Sequence, residues 1–360
     1  MYSWYMSISK PVLIAQFPYR CVADRKQVLR KLAKGSCKPR PSGQFNLFIQ
    51  DARSAMTDWV KWAGKTAAAA LLFSSATAAW ADAVRKDILP ADTDGGIVAN
   101  SGPHIVFSSE RGGRAPLLVF LPGTGGETTR TVVGEQAFID TALAQGYRFI
   151  ILSYIDTPAV SQVCTRPVLA TNPDCAAQLR QKRAFGENTT ALIQDKPKDA
   201  IVHRLTALLR YLVKTDPQGR WEQYLDQQAV DWSKVVLSGQ SQGGGMAAYI
   251  AKRVAVRGVI DFSGGWDMRA NNRIASWYSS PGATPPDRLF GTYHVQENFA
   301  SAIHLSYNAM RIPADHQFAL NKPIRRPNAD NPGHGEGASN PVYRELWQEM
   351  LEQLKRGGEG

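Results

Sequence analysis

Gly239-Gln240-Ser241-Gln242-Gly243 is the stretch of this sequence best suited to chemistry. It follows the short apolar run Val235-Val236-Leu237 and precedes a helical pattern over residues 242–253. The serine therefore falls on a sharp strand-to-helix turn, the setting in which a G-x-S-x-G sequence exposes a nucleophile. Gly239 and Gly243 carry no Cβ, so strand and helix can approach closely. The hydroxyl of Ser241 would stand over a helix N-terminus, where developing negative charge is favoured. Serine is a weak nucleophile at neutral pH and needs a base. Four histidines follow it: His294 in an expected strand, His304 in an expected helix, His316, and His334 in the loop Asn331-Pro332-Gly333-His334-Gly335. A carboxylate must orient the base. Glu297 lies just past the strand expected over residues 288–295, and Asp267 follows the preceding strand in Ser263-Gly264-Gly265-Trp266-Asp267. Asp261, inside a strand, reads as structural, and Asp287 sits at the wrong end of its strand.

The elements that must position these groups are legible from Asp82 onward. His104 to Ser109 alternates apolar and polar residues and predicts a strand, and Arg111 to Arg114 predicts a turn. Leu117 to Leu121 is a continuous apolar run, as expected of a strand covered on both faces. Residues 134–145 predict a helix stopped by Gly146, and Tyr147 to Tyr154 the next strand. Asp199 to Lys214 predicts an amphipathic helix with Ile201, Leu205, Leu208, Leu209 and Leu212 on one face. Val256 to Phe262 and Arg288 to His294 predict strands, Asn298 to Met310 a helix, residues 322–340 a loop and Pro341 to Leu354 the last helix. Strands alternating with helices predict one α/β domain, a mostly parallel sheet with helices on both faces. Trp266, Trp277 and Tyr278, followed by Pro281, Pro285 and Pro286, fall at the C-terminal edge of that sheet. There they could line an acyl or alcohol pocket or pack beneath a loop.

On the serine turn and its place between strand and helix, the sequence resembles the α/β-hydrolase superfamily of serine esterases and lipases, over residues 104–356. The resemblance implies that Ser241 is the nucleophile. The chain order nucleophile, acid, histidine then points to His334 as the base, with His316 as its rival, and to Glu297 as the acid, with Asp267 as its rival. It also implies that Leu121-Pro122-Gly123-Thr124-Gly125-Gly126 is the oxyanion loop and that the amides of Thr124 and Gln242 receive the oxyanion. The family's frequent His-Gly at this loop is Pro122-Gly123 here. Preset amides of this kind stabilise a tetrahedral oxyanion by roughly 3–4 kcal/mol for one donor. The implied reaction is cleavage of a carboxylic ester through an acyl-enzyme. An amidase, peptidase or thioesterase could use the same groups, and a binding protein could keep the scaffold without the chemistry.

Composition narrows the setting. Of 360 residues, 44% are hydrophobic and 20% charged, which excludes disordered, collagen-like and coiled-coil chains. The net charge is +11, but residues 1–81 hold 12 Lys+Arg against 3 Asp+Glu, and the remainder is close to neutral. Nucleic acid is therefore not expected as a partner. Met56 to Ala81 has the three parts of a secretory signal: Lys61 and Lys65, an uncharged stretch of 14 residues from Thr66 to Ala79, and Ala79-Trp80-Ala81 at the expected cleavage site. The stretch is short for a membrane span, which needs about 20 apolar residues. Residues 1–55 then read as an upstream misassignment of the start, residues 56–81 as the signal, and residues 82–360 as the periplasmic or secreted domain, with no stable membrane insertion. Cys164 and Cys175 lie in that domain and are expected to pair in an oxidising compartment, two buried free thiols being the alternative. No zinc spacing, P-loop or dinucleotide fingerprint occurs, so no metal or organic cofactor is expected.

Overall fold

The structure is a computed structural model that describes residues 83–98, 102–109 and 113–356. The leader, the signal, the expected cleavage after Ala81 and the Arg111-Gly112 turn lie outside the described residues. Numbering only the strands of the large sheet, these are β1 (Ala83–Ile88), β2 (His104–Ser109), β3 (Leu117–Leu121), β4 (Arg148–Ile151), β5 (Val235–Gln240), β6 (Gly258–Phe262), β7 (Leu289–His294) and β8 (Gln317–Leu320). Their order across the sheet is β1-β2-β4-β3-β5-β6-β7-β8. The β1–β2 and β2–β4 contacts are antiparallel and the rest are parallel.

Alternation along β3 explains the layering. Leu117, Val119 and Leu121 enter one core, while Leu118 and Phe120 enter the other, and all five are fully buried. Among the described residues, the helices of ten or more residues are α1 (Thr128–Ala144), α2 (Cys175–Phe185), α3 (Ile201–Thr215), α4 (Gln242–Arg253), α5 (Ala300–Ala309) and α6 (Arg344–Arg356). On one face α1 and α6 supply Phe138, Ile139, Trp347 and Leu351. On the other, α2, α3 and α4 supply Leu179, Leu208, Leu212, Met246 and Ile250. The apolar stripe expected on residues 199–214 is the buried face of α3: Ile201, Leu205, Leu208, Leu209 and Leu212 are all buried.

Several elements differ from those the sequence predicts. The helix expected at 134–145 begins earlier, at Thr128, where the Glu127 carboxylate caps it by accepting from the Thr129 and Arg130 amides. The strand expected over 147–154 is trimmed to Arg148–Ile151. Residues 322–340 contain a short helix, Glu336–Ser339. Two strands of the large sheet had no signal in the sequence. β1 is a half-exposed edge strand bearing Arg85, Lys86 and Asp87, and β8 has only four residues, of which only Leu320 is buried. Edge strands of this kind are short or charged, which blunts pairing with other chains and also blurs their pattern.

Register sets the place of the site. Leu121 is paired with Gly239, Gln240 with Phe262, Phe262 with Thr292, and Leu320 with His294. The loops after β3, β5, β6, β7 and β8 thus leave the sheet at one edge, the carboxyl edge at which open α/β sheets bind ligands.

Candidate active site

Ser241 follows β5 directly and precedes α4, with φ 56° and ψ −122°. A non-glycine residue there is strained, on the order of 1–3 kcal/mol. The turn holds because its surroundings leave no alternative. The Ser241 amide donates to the Phe262 carbonyl of β6 at 2.8 Å, and the Ser241 carbonyl accepts from the Gly245 amide at 3.1 Å. A Cβ on Gly243 would lie 1.9 Å from the Leu121 carbonyl oxygen, and one on Gly239 would lie 2.4 Å from the Gly243 carbonyl carbon. The close approach of α4 to β3 and β5 therefore requires both glycines.

The loop after β3 passes over the serine. A Cβ on Gly123 would fall 2.4 Å from Gln240 Oε1 and 3.3 Å from the Ser241 Cβ. The loop turns tightly, with the Gly126 amide donating to the Gly123 carbonyl at 2.9 Å. Thr124, Ser241 and Gln242 line one small cavity of ≈ 50 Å³, together with Trp266, Asp267 and Arg180. Gln242 opens α4, where backbone amides have no intrahelical acceptor. Its side chain has a second task that sequence patterning does not reveal. Gln242 Oε1 accepts from the Val160 amide at 2.8 Å, and Gln242 Nε2 donates to the Asp156 carbonyl, tying the 156–160 loop to the serine turn.

Of the candidate bases, His334 is the one beside this turn. Its Nδ1 is 2.7 Å from Glu297 Oε2, and its Nε2 is 3.1 Å from Nε2 of Gln240, the residue before Ser241. A carboxylate can only accept, so His334 Nδ1 carries the proton and donates. The Nε2 lone pair then accepts from the Gln240 side-chain amide. Trp266 meets the imidazole edge-on at 5.5 Å between ring centres. His316 stacks on Phe290 at 4.1 Å and His304 on Tyr293 at 5.7 Å. His294 is buried in β7, with Nε2 donating to the Lys322 carbonyl at 2.9 Å.

Of the candidate acids, Glu297 touches His334 and Asp267 does not join them. Glu297 has a fully buried side chain. Its second oxygen accepts from Ser263 Oγ at 2.6 Å and from the His294 amide at 2.8 Å. Those two donors fix the carboxylate and leave one oxygen for the imidazole. Ser263 was missed by sequence reasoning; its signal is the Ser-Gly-Gly turn directly after β6, where Ser263 adopts φ 54°. Asp267 is bound instead by Arg180 of α2, through Nε at 2.6 Å and Nη2 at 2.8 Å, and by Trp277 Nε1 at 2.9 Å. Burial works against the Arg180 charge, and the Asp267 carboxylate outweighs it, raising the guanidinium above its usual value. Asp261 lies under the turn, its Oδ1 accepting from the Gly264 amide at 2.8 Å, and Asp287 sits in a short turn before β7. Trp277 and Tyr278 are buried, so they pack beneath the 266–286 segment, whereas Trp266 reaches the cavity.

Cys164 and Cys175 are joined in a disulfide between the segment after β4 and the start of α2. Among the described residues no cluster of three or more His, Cys, Asp or Glu could hold a metal ion, and no helix is long and apolar enough to cross a membrane.

No family model matches the chain, and no curated protein sequence matches it. Solved structures similar to it include a hyperthermophilic esterase from Pyrobaculum calidifontis, 13% identical, covering 91% of this chain and 97% of that one at a TM-score of 0.41. A Pyrococcus furiosus esterase is 10% identical, covering 76% and 93% at 0.42, and an esterase/lipase from an uncultured bacterium is 13% identical, covering 78% and 86% at 0.41. The fold stands on its own features. A mostly parallel sheet clothed by helices on both faces, with a strained serine turn between the end of β5 and α4, is the α/β-hydrolase fold.

Proposed function

We propose that this chain is an exported serine hydrolase that cleaves a small carboxylic ester through an acyl-enzyme. The observation that carries the reading is the His334–Glu297 pair at 2.7 Å beside the strained turn of Ser241. In this reading Ser241 Oγ attacks the ester carbonyl carbon and passes its proton to His334 Nε2. The carbonyl oxygen becomes an oxyanion held by the Thr124 and Gln242 amides. The carbon–oxygen bond to the alcohol breaks, and the alcohol leaves with the proton from His334. Water then enters, gives its proton to Nε2 and releases the acid, and the proton returns to Ser241. Glu297 keeps the imidazole in the tautomer that this sequence of transfers needs and stabilises its charged form.

Export rests on the signal-like segment ending at Ala81 and on the disulfide, which suits an oxidising compartment. The expected outcome of N-terminal sequencing of the exported protein is Asp82; a mature chain that keeps residues before Met56 would remove this part of the reading. The chemistry is tested with a fluorophosphonate probe and a chromogenic ester. Wild-type protein should be labelled and active. Ser241→Ala should lose labelling and at least about 10⁴-fold in kcat. Folded wild-type protein that takes no label and turns over no ester would instead indicate a binding protein on a hydrolase scaffold.

A further inference from the structure

The space around the serine turn is divided unequally. On the side of Ser241, Thr124 and Gln242 the cavity is ≈ 50 Å³. A single water needs about 10–15 Å³ of such space and a cavity of about 150 Å³ takes benzene, so this side takes a group of only a few heavy atoms. On the side of His334 a groove of ≈ 840 Å³ opens, which also takes in Gln240, Asn331 and Ser339. Three arginines line that groove: Arg130, Arg325 and Arg326. Trp266 lines the small cavity and touches the imidazole, so it stands between the two.

We propose that the substrate is a short acyl group carried by an anionic, hydroxyl-bearing alcohol, the acyl part entering the cavity beside Ser241 and the alcohol lying in the groove beside His334. The proposal rests on the serine hydrolase reading above. The direction follows from the chemistry. The leaving oxygen must take its proton from His334 Nε2, so the alcohol lies on the imidazole side. The oxyanion donors and the serine share the other cavity, so the acyl group is on that side.

The charge of the groove is not cancelled by its carboxylates. Arg325 is held by Glu336 at 3.5 Å and also donates to Ser339 Oγ. Arg130 lies 3.8 Å from Glu127 but is 77% exposed, so that pair is loose and screened. Arg326 is exposed and has no carboxylate partner among the described residues. Glu135, also in the groove, has an oxygen removed from water with no partner, and burial pushes its carboxyl up to about 8. At neutral pH it is mostly protonated and opposes the arginines little. Arg130 and Arg326 are thus available to a carboxylate or phosphate on the alcohol, and Asn331 Nδ2 can donate to one of its hydroxyls, while the Thr129 and Ser339 hydroxyls, which already donate to Glu127 and to the Gly335 carbonyl, can accept from another.

The test uses an O-acetylated glucuronic acid glycoside, its uncharged methyl ester, and an O-acetylated sugar phosphate. Wild-type kcat/KM should favour the free acid or the phosphate over the methyl ester by tenfold or more, and the ratio between the two anions identifies which is preferred. In Arg130→Ala/Arg326→Ala, whose fold is checked by circular dichroism, the preference for anion over methyl ester should shrink at least tenfold, mainly through KM. On simple alcohols, acetyl esters should exceed octanoyl esters tenfold or more; equal or rising rates with chain length would overturn the acyl half. Binding is measured in parallel by calorimetry on Ser241→Ala, which needs no turnover. Equal binding of the acid and its methyl ester, with wild-type turnover intact, would overturn the groove and leave the hydrolase reading standing. Preferential binding of the acid by a protein that takes no serine label and shows no turnover would overturn the substrate assignment together with the hydrolase reading, leaving only an anion site.

Discussion

Two buried carboxylates near the serine turn are held by different partners, and the proposed mechanism gives them different roles. Glu297 accepts from Ser263 and the His294 amide and spends its other oxygen on His334. In Glu297→Gln, the amide oxygen can keep the Ser263 and His294 donors, which turns the NH₂ toward His334 Nδ1. That nitrogen must then accept, so the proton moves to Nε2 and the base is lost. The expected result is a fall in kcat on the order of 10³–10⁴-fold with little change in melting temperature. Asp267→Asn should behave the other way. It removes the charge that balances Arg180, a residue only 2% exposed. Breaking such a pair from one side costs about 3–5 kcal/mol of stability. Ester turnover and thermal unfolding of the two variants, measured together, check the division. A Glu297→Gln variant that keeps wild-type kcat would remove Glu297 from the mechanism.

At the scale of elements, β6 carries a titrating group beneath the serine turn. Asp261 is 1% exposed, and burial pushes its carboxyl up to about 7, the Gly264 amide offsetting only part of that rise. An unfolded aspartate titrates near 3.9. Between the two values the folded chain holds the proton and the unfolded chain releases it. Stability from this group is therefore full below about pH 4 and is lost as pH rises to about 7. His104 of β2 contributes the opposite slope. Burial and the nearby Arg204 charge push it down to about 3, so its contribution is lost as pH falls from 6.5. Comparing Asp261→Asn with wild type at each pH cancels the histidine. Denaturant unfolding should find the variant gaining on wild type as pH rises from 4 to 8. A difference that does not change with pH would mean Asp261 stays ionised in the fold.

At the scale of the whole molecule, the segment between β4 and α3 lies over the carboxyl edge of the sheet and closes one side of the small cavity through Ala159, Val160 and Ser161. It is tied down by the Cys164–Cys175 disulfide and by the Arg183–Asp195 ion pair at 2.8 Å. The cross-link spans a sequence separation of 11, for which the chain-entropy model gives roughly 3 kcal/mol. Denaturant unfolding of Cys164→Ser/Cys175→Ser should reveal a loss of about that size, and adding reductant to wild type should reproduce it. Identical unfolding with and without reductant would mean the thiols are not paired in the isolated protein.

The sequence by itself determined the parts whose signals are local. A tight strand-to-helix turn needs a small residue on either side of its serine, and Gly239 and Gly243 supply them in five consecutive positions. Buried strands such as β3 announce themselves as unbroken apolar runs, and α3 by its stripe. Chain order pointed to His334 and Glu297, yet nothing local separated Glu297 from Asp267, because each is an acid just past a strand. In the folded chain the two acids have different partners. Arg180 comes from 87 residues upstream to bind Asp267, and His334 from 37 residues downstream to meet Glu297. The edge strands β1 and β8 escaped notice because a strand open to water on one side need not look apolar. The small cavity and the arginine groove likewise belong to no single segment. They exist only where loops from β3, β4, β5, β6 and β8 meet at one sheet edge, since register, not composition, brings those loops level.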